Sequence, residues 1–235
     1  KVMHAAAPCP TDVKWKIMDY FGKGVVWEYY GGSEGGGTMI TDEEWREKPG
    51  SVGKAWPMAE IRIYDDDGKE LPPNQIGTIY MKAGGFGFEY HKDAKKTQEA
   101  YIEGFFTMGD MGYLDEDEYL FIVDRKSDMI ISGGVNIYPA EIENTIFGHP
   151  AVLDVVVFGV PDEKWGEAIK AVVQLKEGQK ATEEEIVQWC DERLSSMKKP
   201  KSVDFIDELP RDINGKVYKR QIRDKYWEGR ATKVV

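Results

Sequence analysis

Cysteine and histidine are scarce in this chain of 235 residues, long apolar runs are missing, and basic charge is in deficit. The two cysteines, Cys9 and Cys190, lie in unrelated segments with no paired spacing, which argues against a disulfide framework or a cysteine zinc site. The three histidines, His4, His91 and His149, are too scattered to suggest a metal cluster. No stretch approaches the roughly 18 consecutive apolar residues that cross a bilayer, and Lys1 to Thr11 lacks the apolar centre of a signal peptide. A soluble, cytoplasmic chain is expected. With 42 Asp and Glu against 31 Lys and Arg, the net charge is −11, a field that repels nucleic acid and anionic lipid. No phosphate loop of the form G-x-x-x-x-G-K-[ST] occurs.

What is present suits a folded protein: 41% hydrophobic, 31% charged and 12% aromatic residues, in a chain long enough for one large domain or two ordinary ones. Charge is uneven. Residues 1–124 carry 13 basic and 23 acidic side chains, whereas 125–235 carry 18 and 19. Within the latter, 193–235 holds 12 basic against 6 acidic residues. That patch, with Lys198, Lys199 and Lys201, is either a solvated face or a receiver for an anionic ligand. The chain starts at Lys1 without an initiator Met, and its opening residues read as the middle of something longer, so a fragment is expected.

Val13, Ile17, Met18 and Phe21 recur at helical spacing and predict a helix over 11–21, followed by a strand from Val25 to Tyr30 and a glycine-rich loop. Alternation at 61–64, the Asp65–Gly68 turn and the run 77–81 predict a hairpin-rich sheet. A short polar helix is expected over 93–101, and strands over 119–123 and 129–132. The charged stretch Asp124–Asp128 between those strands is the best boundary candidate, giving domains 1–124 and 125–235. Beyond it, Pro139 at a helix N1 position starts a helix through Phe147, and strands follow at 152–158 and 168–175. Thr182 with Glu185 forms a capping-box pattern, and a strand at 203–206 and a helix from Tyr218 complete an α+β module.

Four places could carry chemistry. In Tyr30-Gly31-Gly32-Ser33-Glu34, glycines let a base or phosphate approach the backbone, while Ser33 and Glu34 offer hard oxygen ligands; a plain turn is the alternative. Asp110, after Gly109, could accept two ribose hydroxyls or simply cap a turn. Arg125 beside Asp124 is either functional or one half of a surface ion pair. Lys216, after Asn214-Gly215, is either a solvated turn lysine or a cation placed to neutralise phosphoryl transfer.

Taken in order, these elements resemble the acyl-adenylate-forming superfamily of acyl-CoA synthetases, peptide-synthetase adenylation domains and luciferases, with fatty-acyl or bile-acid CoA ligases nearest in look. The resemblance spans essentially the whole chain and corresponds to the C-terminal portion of such an enzyme. It implies the end of a large domain, an α/β sheet plus a distorted β-barrel, followed by a small mobile α+β lid that carries the catalytic lysine. His4 through Pro10 resembles the segment lining the acyl pocket, implying substrate contact by Ala6 and Ala7, with Gly32. Tyr30 through Glu34 is similar to the Y-G-x-[ST]-E motif, implying nucleotide contact by Tyr30, Gly31 and Ser33, and Mg²⁺ at Glu34. Asp110 and Arg125 are implied on the ribose, Ser127 at the hinge, and Gly133 and Gly134 on the pantetheine channel. Pro210 through Lys216 resembles P-x-x-x-x-G-K and implies that Lys216 is catalytic in adenylation. Met108 departs from the usual Thr before the Gly-Asp pair, and the superfamily's own Ser/Thr/Gly-rich phosphate loop belongs upstream of Lys1.

The implied activity is ATP-dependent ligation of a carboxylic acid to coenzyme A through an acyl-AMP, with a fatty or related hydrophobic acid. The implied partners are ATP, CoA, the acid and the missing N-terminal portion, with no nucleic acid. Two alternatives stand beside it: a carrier-protein acceptor in place of CoA, and a non-catalytic nucleotide-binding or interaction fragment.

Overall fold

A computed structural model describes residues 1–84, 87–213 and 215–228. The chain divides into two compact units, Lys1–Lys126 and Ser127–Val235.

The first unit opens with β1 (Val2–His4), α1 (Thr11–Phe21), β2 (Val26–Gly31), β3 (Gly37–Ile40), α2 (Asp42–Glu47) and β4 (Lys54–Ala55). Strands β1 to β4 pair in sequence order, with β1 and β2 parallel across α1 and the other pairs antiparallel. Met18 from α1, Val26, Ile40 and Trp45 make a small core. Next come β5 (Glu60–Tyr64), β6 (Gly77–Lys82), α3 (Ala94–Glu99), β7 (Tyr101–Ile102), β8 (Phe105–Phe106), β9 (Asp110–Leu114) and β10 (Leu120–Arg125). They form a six-stranded antiparallel sheet in the order β10-β9-β6-β8-β7, with β5 also on β6. Its core is Val52, Ile63, Ile79, Met81, Phe106 and Leu120. The described pairings give an open sheet path without the closure of a barrel.

Asp124 and Arg125, placed in the charged boundary stretch beyond the strand expected over 119–123, are the last two residues of β10 and pair with Met111 and Asp110. A bulge between Ile122 and Asp124 carries the strand into this charged stretch, because side chains at a sheet's end can reach water while the backbone stays paired. The polar helix expected to reach Tyr101 stops at Glu99, since Tyr101 is drawn into β7 opposite Phe106. Several elements of this unit were not anticipated: the strands β1, β3, β4, β7, β8 and β9 and the helix α2. β3 begins inside the glycine run, at Gly37 opposite Gly31. α2 starts at a complete capping box, Thr41 with Glu44, which the sequence carries in plain form.

The second unit comprises β11 (Ile130–Ser132), β12 (Val135–Ile137), α4 (Pro139–Phe147), β13 (Val152–Asp162), β14 (Gly166–Leu175), α5 (Glu183–Asp191), a 3-10 turn (Ser196–Lys198), β15 (Ser202–Phe205) and α6 (Lys219–Trp227). The long β13–β14 hairpin is its spine. One face of the hairpin, Val155, Val157, Ile169, Ala171 and Val173, packs on Ile142 and Ile146 of α4 and Ile186 and Cys190 of α5. The other face, Val156, Phe158 and Val172, packs on Leu209 and on Ile222 of α6. Both faces are covered, so the strands read as continuous apolar runs. Each buried Val or Ile contributes roughly 1.5–3 kcal/mol, which fixes the hairpin as the rigid part of the unit. No helix among the described residues is long and apolar enough to cross a membrane.

Candidate active site

β2 delivers Tyr30 and Gly31 to the edge of a loop that returns as β3. The loop needs its glycines. A side chain at Gly31 would lie 2.7 Å from the Gly36 carbonyl and 2.8 Å from the Tyr29 hydroxyl, and one at Gly32 would collide with Met108 and with the Glu34 carboxylate. Gly35 and Gly36 adopt φ of 101° and 71°, which L side chains rarely occupy. Met108 is therefore in place against the loop, where it fills the space above Gly32.

The loop's neighbour is Asp110, the first residue of β9, only 8% exposed. Its Oδ2 accepts a hydrogen bond from the Tyr30 hydroxyl at 2.6 Å, and its Oδ1 lies 3.4 Å from Nε of Arg125. The β9–β10 register places Arg125 directly opposite Asp110. A carboxylate has about four acceptor directions, so two remain for the paired hydroxyls of a sugar. Burial, and then the Asp110 charge and hydrogen bond, push the Tyr30 phenol far above its ordinary value, so it stays a donor. Gly109, at φ 82°, makes the turn that presents Asp110, braced by its carbonyl accepting from the Lys126 amide at 2.8 Å. Arg125 thus does more than form a surface pair with its neighbour; Asp124 Oδ1 accepts the Arg125 amide while the guanidinium reaches Asp110.

Glu34 is held by two hydroxyls: Ser33 donates to Oε2 at 3.2 Å and Tyr90 to Oε1 at 3.3 Å. Tyr90 was not anticipated; it lies 56 residues away and no local pattern marks it. No group of three or more His, Cys, Asp or Glu among the described residues could hold a metal ion. The single carboxylate of Glu34 suits a cation whose other ligands come from a polyphosphate, and does not make a metal site by itself. Ala6 and Ala7 are exposed in the bend after β1, with Ala6 at φ 72°.

In the second unit, Gly133 and Gly134 form the two-residue turn between Ser132 and Val135, with φ of 59° and 80°, the pattern of a type I′ hairpin. The Gly133 amide donates to the Trp165 carbonyl at 2.8 Å, and a side chain at Gly133 would meet the Trp165 ring at 2.7 Å. Ser127 sits exposed in a turn, its carbonyl accepting from Arg223 at 3.5 Å. Among the basic residues, Lys198 pairs with Glu141 and Lys199 with Asp191, both at 2.6 Å, while Lys201 has no ion pair among the described residues. Lys216 is exposed on the turn that follows Pro210, and its ammonium has no ion pair among the described residues. Its amide donates to Asp212 Oδ1 and its carbonyl accepts from the Asp212 amide, both at 2.9 Å. Asn214, part of the anticipated Asn-Gly turn, lies outside the described residues.

Residues 1–90 match the AMP-binding enzyme family and residues 141–216 the AMP-binding enzyme C-terminal domain. A fatty acid–[acyl-carrier-protein] ligase, ScoC, of Streptomyces coeruleorubidus is 38% identical over 212 residues, 88% of this chain and 41% of that protein. A long-chain-fatty-acid–CoA ligase of Bacillus subtilis is 37% identical over 233 residues, 98% of this chain and 41% of that protein. The crystal structure of ATP-bound MatB from Rhodopseudomonas palustris superposes with a TM-score of 0.89 at 36% identity, over 96% of this chain and 45% of that one. Other relatives are named for 2-succinylbenzoate and ferulate, so the acid varies among them. The chain spans about two fifths of the length of the curated relatives it matches.

Proposed function

Since the chain belongs to the AMP-binding enzyme superfamily, carrying its C-terminal domain, we propose that the whole protein is an acid–thiol ligase that joins a fatty or related hydrophobic acid to coenzyme A through an acyl-AMP. The observation that supports this reading best is the convergence of Tyr30, Arg125 and the buried Asp110, far apart in sequence, into one carboxylate with two free acceptor directions beside a glycine loop. Asp110, with Arg125, takes the ribose; Tyr30 and Gly31 take the base, and Ser33 a phosphate. We read the first unit as the end of the large domain, its six-stranded sheet being the barrel-like part, and the second as the lid, with the pivot at Ser127. Ala6, Ala7 and Gly32 are assigned to the acyl side, and Gly133 and Gly134 to the pantetheine channel.

In the first half-reaction the acid's carboxylate attacks the α-phosphate of ATP, forming the acyl–phosphate bond and releasing pyrophosphate. Two anions approach one another, so a cation at the developing charge lowers the barrier, and Lys216 is assigned that role. An exposed lysine with no partner among the described residues meets the requirement, since no existing ion pair must break before it acts. Mg²⁺, held by the polyphosphate and Glu34, would supply further charge neutralisation. In the second half-reaction the CoA thiol attacks the acyl carbon and AMP leaves.

The test measures the half-reactions separately in the full-length protein. Lys216→Ala is expected to slow acyl-AMP formation by about 100-fold or more, while supplied acyl-AMP still reacts with CoA within a few-fold of normal. Ser127→Pro is expected to do the reverse. Equal loss of both half-reactions in both variants would sink the assignment. A second reading, a carrier protein as acceptor, is favoured by the likeness to ScoC; comparing free CoA with a phosphopantetheinylated carrier protein in the same assay separates the two.

A further inference from the structure

The turn that carries Lys216 is tethered at its base to one cross-strand pair of the β13–β14 hairpin. Asp154 on β13 and Gln174 on β14 are register partners. They lie on the hairpin face that packs Val156, Phe158 and Val172 against Leu209. A bulge at Leu153 creates this arrangement: Val152 stays with the α4–α5 core while Asp154 turns to the opposite face. Gln174 Oε1 accepts from the Leu209 amide at 3.1 Å, and Leu209 is itself 1% exposed. Asp154 uses both oxygens: Oδ1 accepts from the Val155 amide at 2.8 Å and Oδ2 from the Arg211 guanidinium. The same guanidinium donates to the Gly215 carbonyl at 2.7 Å, one residue before Lys216. Arg211 and Val217 then close the turn as an isolated β-bridge, with the Tyr218 amide on the Pro210 carbonyl at 2.8 Å.

We propose that Asp154, Gln174 and Arg211 form a clasp that sets the position of Lys216, with Arg211 a positioning residue for adenylation. An exposed turn without such a clasp would spread its ammonium over many positions, and a misplacement of about 1 Å can cost on the order of 100-fold in rate. Arg suits the task because its planar fork bonds a carboxylate on the rigid hairpin and a carbonyl of the turn in one fixed geometry, whereas a lysine's rotatable ammonium would hold the two less precisely. The clasp leaves the Lys216 side chain itself untouched. This inference rests on the reading of Lys216 as the adenylation lysine.

The experiment uses the full-length protein and the two half-reaction assays. Arg211→Ala is expected to slow acyl-AMP formation by about 10- to 100-fold through kcat, with KM for ATP within about 3-fold and thioester formation from supplied acyl-AMP retained. Arg211→Lys, which keeps donors for the Asp154 carboxylate and the Gly215 carbonyl but not the fork, is expected to fall between Arg211→Ala and the unaltered protein. Hydrogen exchange over residues 210–218 should quicken in Arg211→Ala and in Gln174→Leu, with the β13–β14 hairpin unchanged, which separates loosening of the turn from unfolding. Unaltered adenylation in Arg211→Ala, or equal loss of both half-reactions, would overturn the clasp. If Lys216→Ala loses adenylation but Arg211→Ala does not, the clasp alone fails; if Lys216→Ala retains it, the reading beneath it fails as well.

Discussion

The two units hold their polar groups by opposite means. In the first, Asp110 is buried at a strand start and saturated on one side by Tyr30 and Arg125, so its geometry is set before any ligand arrives. In the second, Lys216 stands exposed on a turn that Leu209 and Arg211 tie to the hairpin. A group that receives hydroxyls gains from burial, because water no longer competes for its acceptors. A group that brings positive charge must avoid it, because desolvation would favour its neutral form. Under the roles proposed for Asp110 and Lys216, a fixed acceptor and an exposed cation are complementary answers to that constraint.

After the loss of about 100-fold or more expected for Lys216→Ala, the next largest effect falls on the fixed side. Asp110→Ala removes the acceptor of two donors and is expected to raise KM for ATP by about 10- to 100-fold, read from initial rates of pyrophosphate release. Tyr30→Phe removes one of those donors and should cost about 10-fold or less; an effect as large as that of Asp110→Ala would mean that Tyr30 does more than orient the carboxylate.

Acid should distinguish the units in a different way. His4 accepts from Lys14, and burial, helped by the Lys14 charge and opposed by Glu28, holds it below its ordinary value. His149 is likewise lowered by burial, with Arg193 and Lys176 adding to it against Glu185. A histidine lowered on folding stabilises fully above the unfolded value of about 6.5 and loses that contribution as pH falls through its folded value. Denaturant melts at pH 7 and pH 5.5 should therefore show lower stability at the acid end. His4→Asn should flatten that dependence in the first unit's transition and His149→Asn in the second's.

The smallest effect concerns the basic segment. Of Lys198, Lys199 and Lys201, Lys201 is the one without an ion pair among the described residues, so if the segment receives CoA it is the one of the three expected to respond most. Lys201→Glu is expected to raise KM for CoA a few-fold at low salt and less at high salt. Lys198→Glu and Lys199→Glu disturb existing surface pairs with Glu141 and Asp191 and should change it less.

Much of this was legible before any coordinates. Helix α4 begins at Pro139 and ends at Phe147 as its spacing and N1 proline predict, and α5 opens on the Thr182–Glu185 capping box. Hairpin strands with apolar runs were found for the same reason, their side chains being sorted by burial. The strand expected to end at 123 runs on through Asp124 and Arg125, because a strand's last residues can be both charged and paired. α2 is only six residues long, so its cap was visible while its apolar periodicity had no room to develop. Tyr90 beside Glu34, and Asp154 beneath Arg211, left no local trace, since neither contact constrains the spacing of its own neighbours.

By itself, the sequence determined which segments become helix or strand and which short runs could carry chemistry, because periodicity, caps and glycine turns act between residues a few positions apart. Only the tertiary structure decided that Tyr30 and Arg125 share Asp110, and that Arg211 ties the lysine turn to Asp154. Those contacts join residues tens of positions apart, and their partners are selected by strand register and by a bulge. Register is a property of the packed sheet, set by which apolar faces can be buried together.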